Sequence, residues 1–84
     1  MNQTQYWTTW RHHSARTTWE PTDARTLRGA KRVATQRHGG ELVDATLLVG
    51  ATMRVDDYGH PDIVTVARRG NGAGDRWYND HYYA

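Results

Sequence analysis

Residues 22–40 read T-D-A-R-T-L-R-G-A-K-R-V-A-T-Q-R-H-G-G, and this stretch decides the fold because it carries a helical period between two breaks. The proline just before it excludes helix upstream. Thr22 or Asp23 can cap the first turn, and Gly39 can close the last turn in the left-handed conformation. The pattern therefore predicts one helix over residues 23–38.

At about 100° per residue, this helix has a small apolar face and an opposite cationic face. The apolar face consists of Leu27, Ala30 and Ala34, with Val33 at its margin. The cationic face consists of Arg25, Arg28, Arg32 and Gln36, with Lys31, Arg37 and His38 beside it. Because alanines allow a close approach of the helix axis, we expect the apolar face to pack on a sheet.

Downstream of the helix, the pattern changes to the alternation that is typical of β-strands. Residues 46–55 predict a half-buried strand, residues 56–61 predict a turn, and residues 63–68 predict the returning strand of a hairpin. Residues 76–78 predict a short third strand, and residues 79–84 form a polar, aromatic tail.

The N-terminal third is expected to form a first hairpin. Residues 5–11 and 15–20 each carry Thr, Tyr and Trp at strand-like spacing. The resulting order is β-β-α-β-β-β, an α+β fold in which one helix packs on an antiparallel sheet. A chain of 84 residues predicts a single domain, residues 1–84, with a thin core.

Composition excludes several classes of protein. The chain has no cysteine, which excludes disulfides and thiolate metal sites. It has no apolar run of the roughly 18 residues that a membrane-spanning helix needs. The first ten residues are polar and do not resemble a signal peptide, so we expect a cytoplasmic protein.

The sequence predicts no enzyme, no cofactor and no metal site. The five histidines show no chelating spacing, since His12 and His13 are adjacent and would point to opposite faces of a strand. Ser14 follows these histidines, but this spacing does not predict a catalytic triad. The loop G-N-G-A-G at residues 70–74 lacks the lysine of a phosphate loop.

The cationic helix face is the strongest indication of binding. Guanidinium groups suit either carboxylates on a protein or phosphates on a nucleic acid. The net charge of +2 permits contact with nucleic acid without requiring it. Trp7, Trp10 and Trp77 are further interface candidates, because aromatic and arginine side chains often anchor interfaces. A solvated helix face and ordinary core packing of the tryptophans are the alternatives.

Three segments resemble the small type I-F anti-CRISPR proteins. They are A-K-R-V-A at residues 30–34, T-M-R-V-D at residues 52–56 and G-D-R-W-Y-N-D at residues 74–80. Members of that family carry A-K-R-I-A on their helix, M-R-I-E on the next strand and G-K-R-W-V-D near the end, in the same order. The resemblance covers roughly residues 17–80 of this chain.

The resemblance implies a β-rich domain with one helix that binds a guide-RNA surveillance complex along its backbone subunits. Such an inhibitor blocks hybridisation of target DNA to the guide, in the cytoplasm of an infected bacterial host cell. Matched by motif, Lys31, Arg32 and Arg76 would contact the complex, and basic residues can also promote nonspecific contact with double-stranded DNA. Gln36 and Asp75 replace lysines of the family pattern, which leaves the CRISPR subtype open.

The full candidate set for partner binding is Arg25, Arg28, Lys31, Arg32, Gln36, Arg76 and Trp77. Two other functions fit the same residues. One is a small phage or mobile-element protein that binds nucleic acid directly and without sequence preference. The other is a structural or assembly protein of a phage particle.

Overall fold

The protein has an α+β fold in which one helix packs on an antiparallel sheet, as predicted. The computed structural model describes residues 4–12, 15–16, 18–39, 45–55, 57–70 and 75–80. In chain order the elements are β1 Tyr6–His12, β2 Ala15–Arg16, β3 Glu20–Pro21, α1 Leu27–His38, β4 Ala45–Val55, β5 Pro61–Gly70 and β6 Tyr78–Asn79.

The six strands form one sheet in the order β2-β1-β4-β5-β6. β2 and β3 both pair with the same edge of β1, so together they occupy one position in this order. All pairs are antiparallel. The continuous strand predicted over residues 15–20 is wrong, since the register changes by one residue between the pairs Arg11↔Arg16 and Thr8↔Glu20. Pro21 lacks an N–H donor and is tolerated because β3 lies at the sheet edge.

The main core lies between α1 and the central strands. Ala30 and Ala34 are fully buried, which confirms the predicted inner face of the helix. They meet Leu47 and Val49 of β4, which are fully buried as well. Leu27 is partly buried and packs at the margin of this cluster.

The helix begins later than predicted. Thr26 is the N-cap, and its hydroxyl oxygen accepts a hydrogen bond from the Gly29 N–H at 3.0 Å. The predicted cap at Thr22 or Asp23 is wrong. The buried Thr22 hydroxyl instead donates to the Tyr6 carbonyl at 3.0 Å and accepts from the Ala24 N–H at 3.2 Å. This contact ties the segment before α1 to β1.

The end of the helix also differs from the prediction. Gly39 has φ −64° and ψ 128°, an extended conformation, so the predicted left-handed cap is wrong. Its N–H still donates to the Thr35 carbonyl at 2.9 Å, and a Cβ at this position would collide with that oxygen. His38, predicted beside the cationic face, is 6 % exposed and lies on the inner face one turn after Ala34.

The side of the sheet opposite α1, here called the open face, has a buried layer of its own. Leu48 and Thr9 pair there and are 5 % and 0 % exposed. Trp19 extends over β1 to Gly50 of β4, where a Cβ would lie 3.0 Å from the indole and 2.6 Å from Ile63 Cγ2. The predicted half-buried character of β4 is therefore wrong over residues 47–51, where both faces are covered.

The β4–β5 hairpin extends beyond the point where β4 stops pairing with β1. Pairing of β1 with β4 ends at Tyr6↔Ala51, whereas β4 and β5 remain paired as far as Val55↔Pro61. A register shift after Val49 brings Val66 into the core beside Ala67.

The last strand is shifted from its predicted position. β6 is Tyr78–Asn79, and Arg76 and Trp77 precede it, so the strand predicted over residues 76–78 is wrong by two residues at its start. Asn79 belongs to this strand rather than to the predicted tail. Residues 81–84 of that tail lie outside the described residues.

Candidate partner-binding surface

Three of the predicted site residues form one exposed line along α1. Arg28, Arg32 and Gln36 are exposed and four residues apart, a spacing that corresponds to about 6 Å along the axis. We call this line the helix face. It points to solvent because Ala30 and Ala34 turn the opposite side of the helix toward the sheet.

The guanidinium groups of the helix face have no partner in the described part of the chain. Arg28 and Arg32 make neither a salt bridge nor a hydrogen bond there, and the first helical turn contains no acidic residue. A cation in the first turn, such as Arg28, opposes the helix macrodipole. Helix stability therefore does not account for Arg28.

Arg25 lies apart from the helix face. It is exposed in a bend before the N-cap, so its predicted place on the cationic side of the helix is wrong. With Gln5, Thr22 and Asp23 it borders an open depression of about 480 Å³.

Lys31 lies at the margin of the helix face and is half-buried. Its carbonyl accepts a hydrogen bond from the Thr35 hydroxyl at 3.0 Å, and that hydroxyl also accepts from Arg69 Nη1 at 3.3 Å. Lys31 is thus less accessible than Arg28 and Arg32.

Arg37, predicted beside the cationic face, holds the helix to the sheet. Its Nη1 donates to Thr8 Oγ1 at 3.1 Å and to the Pro21 carbonyl at 3.0 Å, and it lies 3.8 Å from Glu20 Oε2. This arginine connects α1 with β1 and β3. Sequence reasoning missed this role because the partners lie 16 and 29 residues away.

Arg76 and Trp77 lie at the other edge of the sheet, just before β6. Arg76 is exposed and borders a depression of about 280 Å³ with Gly70, Asp75 and Tyr78. Trp77 is half-buried and packs against the core. α1 packs against β1 and β4, so the structure does not bring these two residues onto the helix face.

The other tryptophans considered for an interface are half-buried. The Trp7 indole N–H donates to Thr52 Oγ1 at 2.7 Å on the open face. Trp10 pairs with Leu47 and lies on the helix side of the sheet.

Among the residues that the structure describes, no three His, Asp or Glu side chains are grouped to hold a metal ion. The one described helix is too short and too polar to cross a bilayer.

In comparisons with known proteins, no family model, no curated protein and no solved structure matches this chain.

Proposed function

We propose that this protein is a non-enzymatic inhibitor that binds a type I guide-RNA surveillance complex and blocks hybridisation of target DNA. The observation that carries this proposal is the helix face, in which Arg28 and Arg32 point to solvent without a partner in the described residues. The resemblance of residues 30–34 to the helix motif of type I-F anti-CRISPR proteins supplies the class of partner.

The fold supports a binding role for this surface. Arg32 is exposed on a helix whose opposite side is anchored by fully buried Ala30 and Ala34, so its backbone position is fixed before a partner arrives. A side chain on an ordered helix loses less backbone freedom on binding than one on a mobile segment. Arg76 at the β6 edge is a second, separate contact in this proposal.

Charge reversal tests the proposal. Arg32→Glu should weaken inhibition about 10- to 1,000-fold, because reversing an anchoring arginine leaves the partner's charge unpaired. Lys31→Glu should have a smaller effect, since Lys31 is half-buried at the margin. The measurement is target-DNA binding by a purified surveillance complex, with pull-down of each variant and its melting temperature.

Tyr58→Glu is the control, because it introduces a carboxylate at a site that is 86 % exposed in the turn between β4 and β5, outside the helix face. We expect it to inhibit like the wild type. If Arg28→Glu, Arg32→Glu and Arg76→Glu all melt and inhibit like the wild type, the helix face is solvated surface and the proposal fails. Tight binding of duplex DNA by the isolated protein would favour the alternative, a protein that binds nucleic acid directly.

A further inference from the structure

The open face carries two indole rings, those of Trp7 and Trp19. Trp7 pairs with Gly50, and its ring lies toward Thr52, to which it donates a hydrogen bond. Trp19 crosses β1 and reaches the same glycine from the sheet edge. Both residues are half-buried, so part of each side chain is accessible to solvent.

Exposed cations lie on the same face. Arg11 follows Trp7 by four residues on β1, a distance of about 13 Å along a strand. Arg68 of β5 is opposite Leu48, and Tyr78 of β6, which is 65 % exposed, pairs with it. Arg11 and Arg68 are exposed and have no hydrogen-bond or ion-pair partner in the described segments.

Three of the described carboxylates, those of Glu20, Asp75 and Asp80, lie away from the indoles. Asp75 lies against Gly70, two residues after Arg68 on β5, so its carboxylate is on the open face beyond Arg68. Asp80 follows β6 at the far edge of the sheet. Glu20 is directed to the helix side, where it meets Arg37. The strip from Trp7 and Trp19 toward Arg11 and Arg68 therefore combines aromatic rings with two cations, and the Asp75 carboxylate lies beyond its arginine end.

We propose that the open face binds single-stranded nucleic acid, with bases stacked on Trp7 and Trp19 and phosphates beside Arg11 and Arg68. Stacking on aromatic side chains and ionic contact with the backbone are the two components of sequence-tolerant single-strand binding. A duplex does not fit this surface as well, because its base faces are covered within the stack. The proposal goes beyond inhibition through the helix face and does not depend on it.

A fluorescent oligothymidylate of about 15 nucleotides is the probe, since aromatic platforms bind single strands of any base. We expect it to bind the isolated protein and to quench tryptophan fluorescence. Arg11→Gln and Arg68→Gln should each weaken binding about 3-fold and together about 10-fold. With two phosphate contacts, log affinity should fall by about 1.4 per log unit of salt.

Asn79→Asp is the matched control, because it also lowers the net charge by one at an exposed site, on the helix side of the sheet. It should change affinity less than 2-fold. Trp19→Leu should reduce the quenching and leave the part that is due to Trp7, and if that variant does not fold, the arginine variants decide. The assay contains no surveillance complex, so its result is separate from the inhibitor proposal.

Four results would overturn the proposal. The first is no binding of the oligonucleotide at about 50 mM salt, where phosphate contacts are strong. The second is equal weakening by Asn79→Asp and Arg68→Gln. The third is competition by polyglutamate as effective as competition by the oligonucleotide, which indicates an acidic protein partner. The fourth is duplex binding as tight as single-strand binding.

Discussion

Single residues decide how the two faces of the sheet are covered. Gly50 has no side chain, and the Trp19 indole lies in the space that a side chain would fill. Leu48 and Thr9 are buried on the open face although α1 lies on the other side. A glycine in the middle of a strand is thus required here for close approach of a neighbouring ring.

Gly50→Ala should destabilise the fold. The added Cβ would lie 2.6 Å from Ile63 Cγ2, and overpacking of this kind costs about 1 to 3 kcal/mol. The melting temperature should fall by at least about 4 °C in a domain of this size. The control is Gly59→Asn, because Gly59 has φ +84° with no atom within 4 Å of the place that a Cβ would take, and Asn tolerates that conformation. Equal melting of Gly50→Ala and the wild type would contradict this account.

At the scale of the element, the start of α1 is set by a threonine that the sequence pattern did not select. Thr26→Ala should cost about 1 kcal/mol, because the Gly29 N–H loses its acceptor. Thr26→Ser keeps the hydroxyl and should retain stability. The midpoint of urea unfolding measures both variants, and a midpoint for Thr26→Ala as high as that of Thr26→Ser would refute the assigned cap.

The fold class and the inner helix face could be predicted because they depend on periodicity within one segment. Ala30 and Ala34 are buried and Arg28 and Arg32 are exposed, as the 3.6-residue period indicates. The start of the helix could not be predicted, since Thr22 is bound to Tyr6, a partner 16 residues away.

The exposed part of the candidate site could be predicted because it also depends on the helical period of one segment. Arg32 and Arg37 look alike in the sequence, yet Arg37 bonds to Thr8 and Pro21 while Arg32 is exposed. The aromatic layer of the open face was missed because it depends on Trp19 crossing a neighbouring strand. The alternation of β4 gives no sign of this contact.

At the scale of the whole molecule, Val49 lies where α1 and three strands meet. Val49 is fully buried and pairs with Thr8 of β1 and Ala67 of β5. Val49→Asp should unfold the domain, because an unpaired buried carboxylate costs several kcal/mol against a total stability of about 5 to 10 kcal/mol. Val64→Asp is the control, since Val64 is 37 % exposed and can keep a carboxylate in water. Far-UV circular dichroism distinguishes them, and a folded Val49→Asp protein would contradict the described core.

The pairing of β1 with β4 also sets an order of events during synthesis. Tyr6 is the partner of Ala51, so β1 can complete its pairing with β4 only after a residue 45 positions further along the chain has been synthesised. At typical rates of translation this delay is about 2 to 9 s. During that interval Tyr6, Trp7 and Trp10 emerge from the ribosome without the strand that buries them. Early exposure of this aromatic segment should favour contact of the nascent chain with chaperones before the sheet is complete.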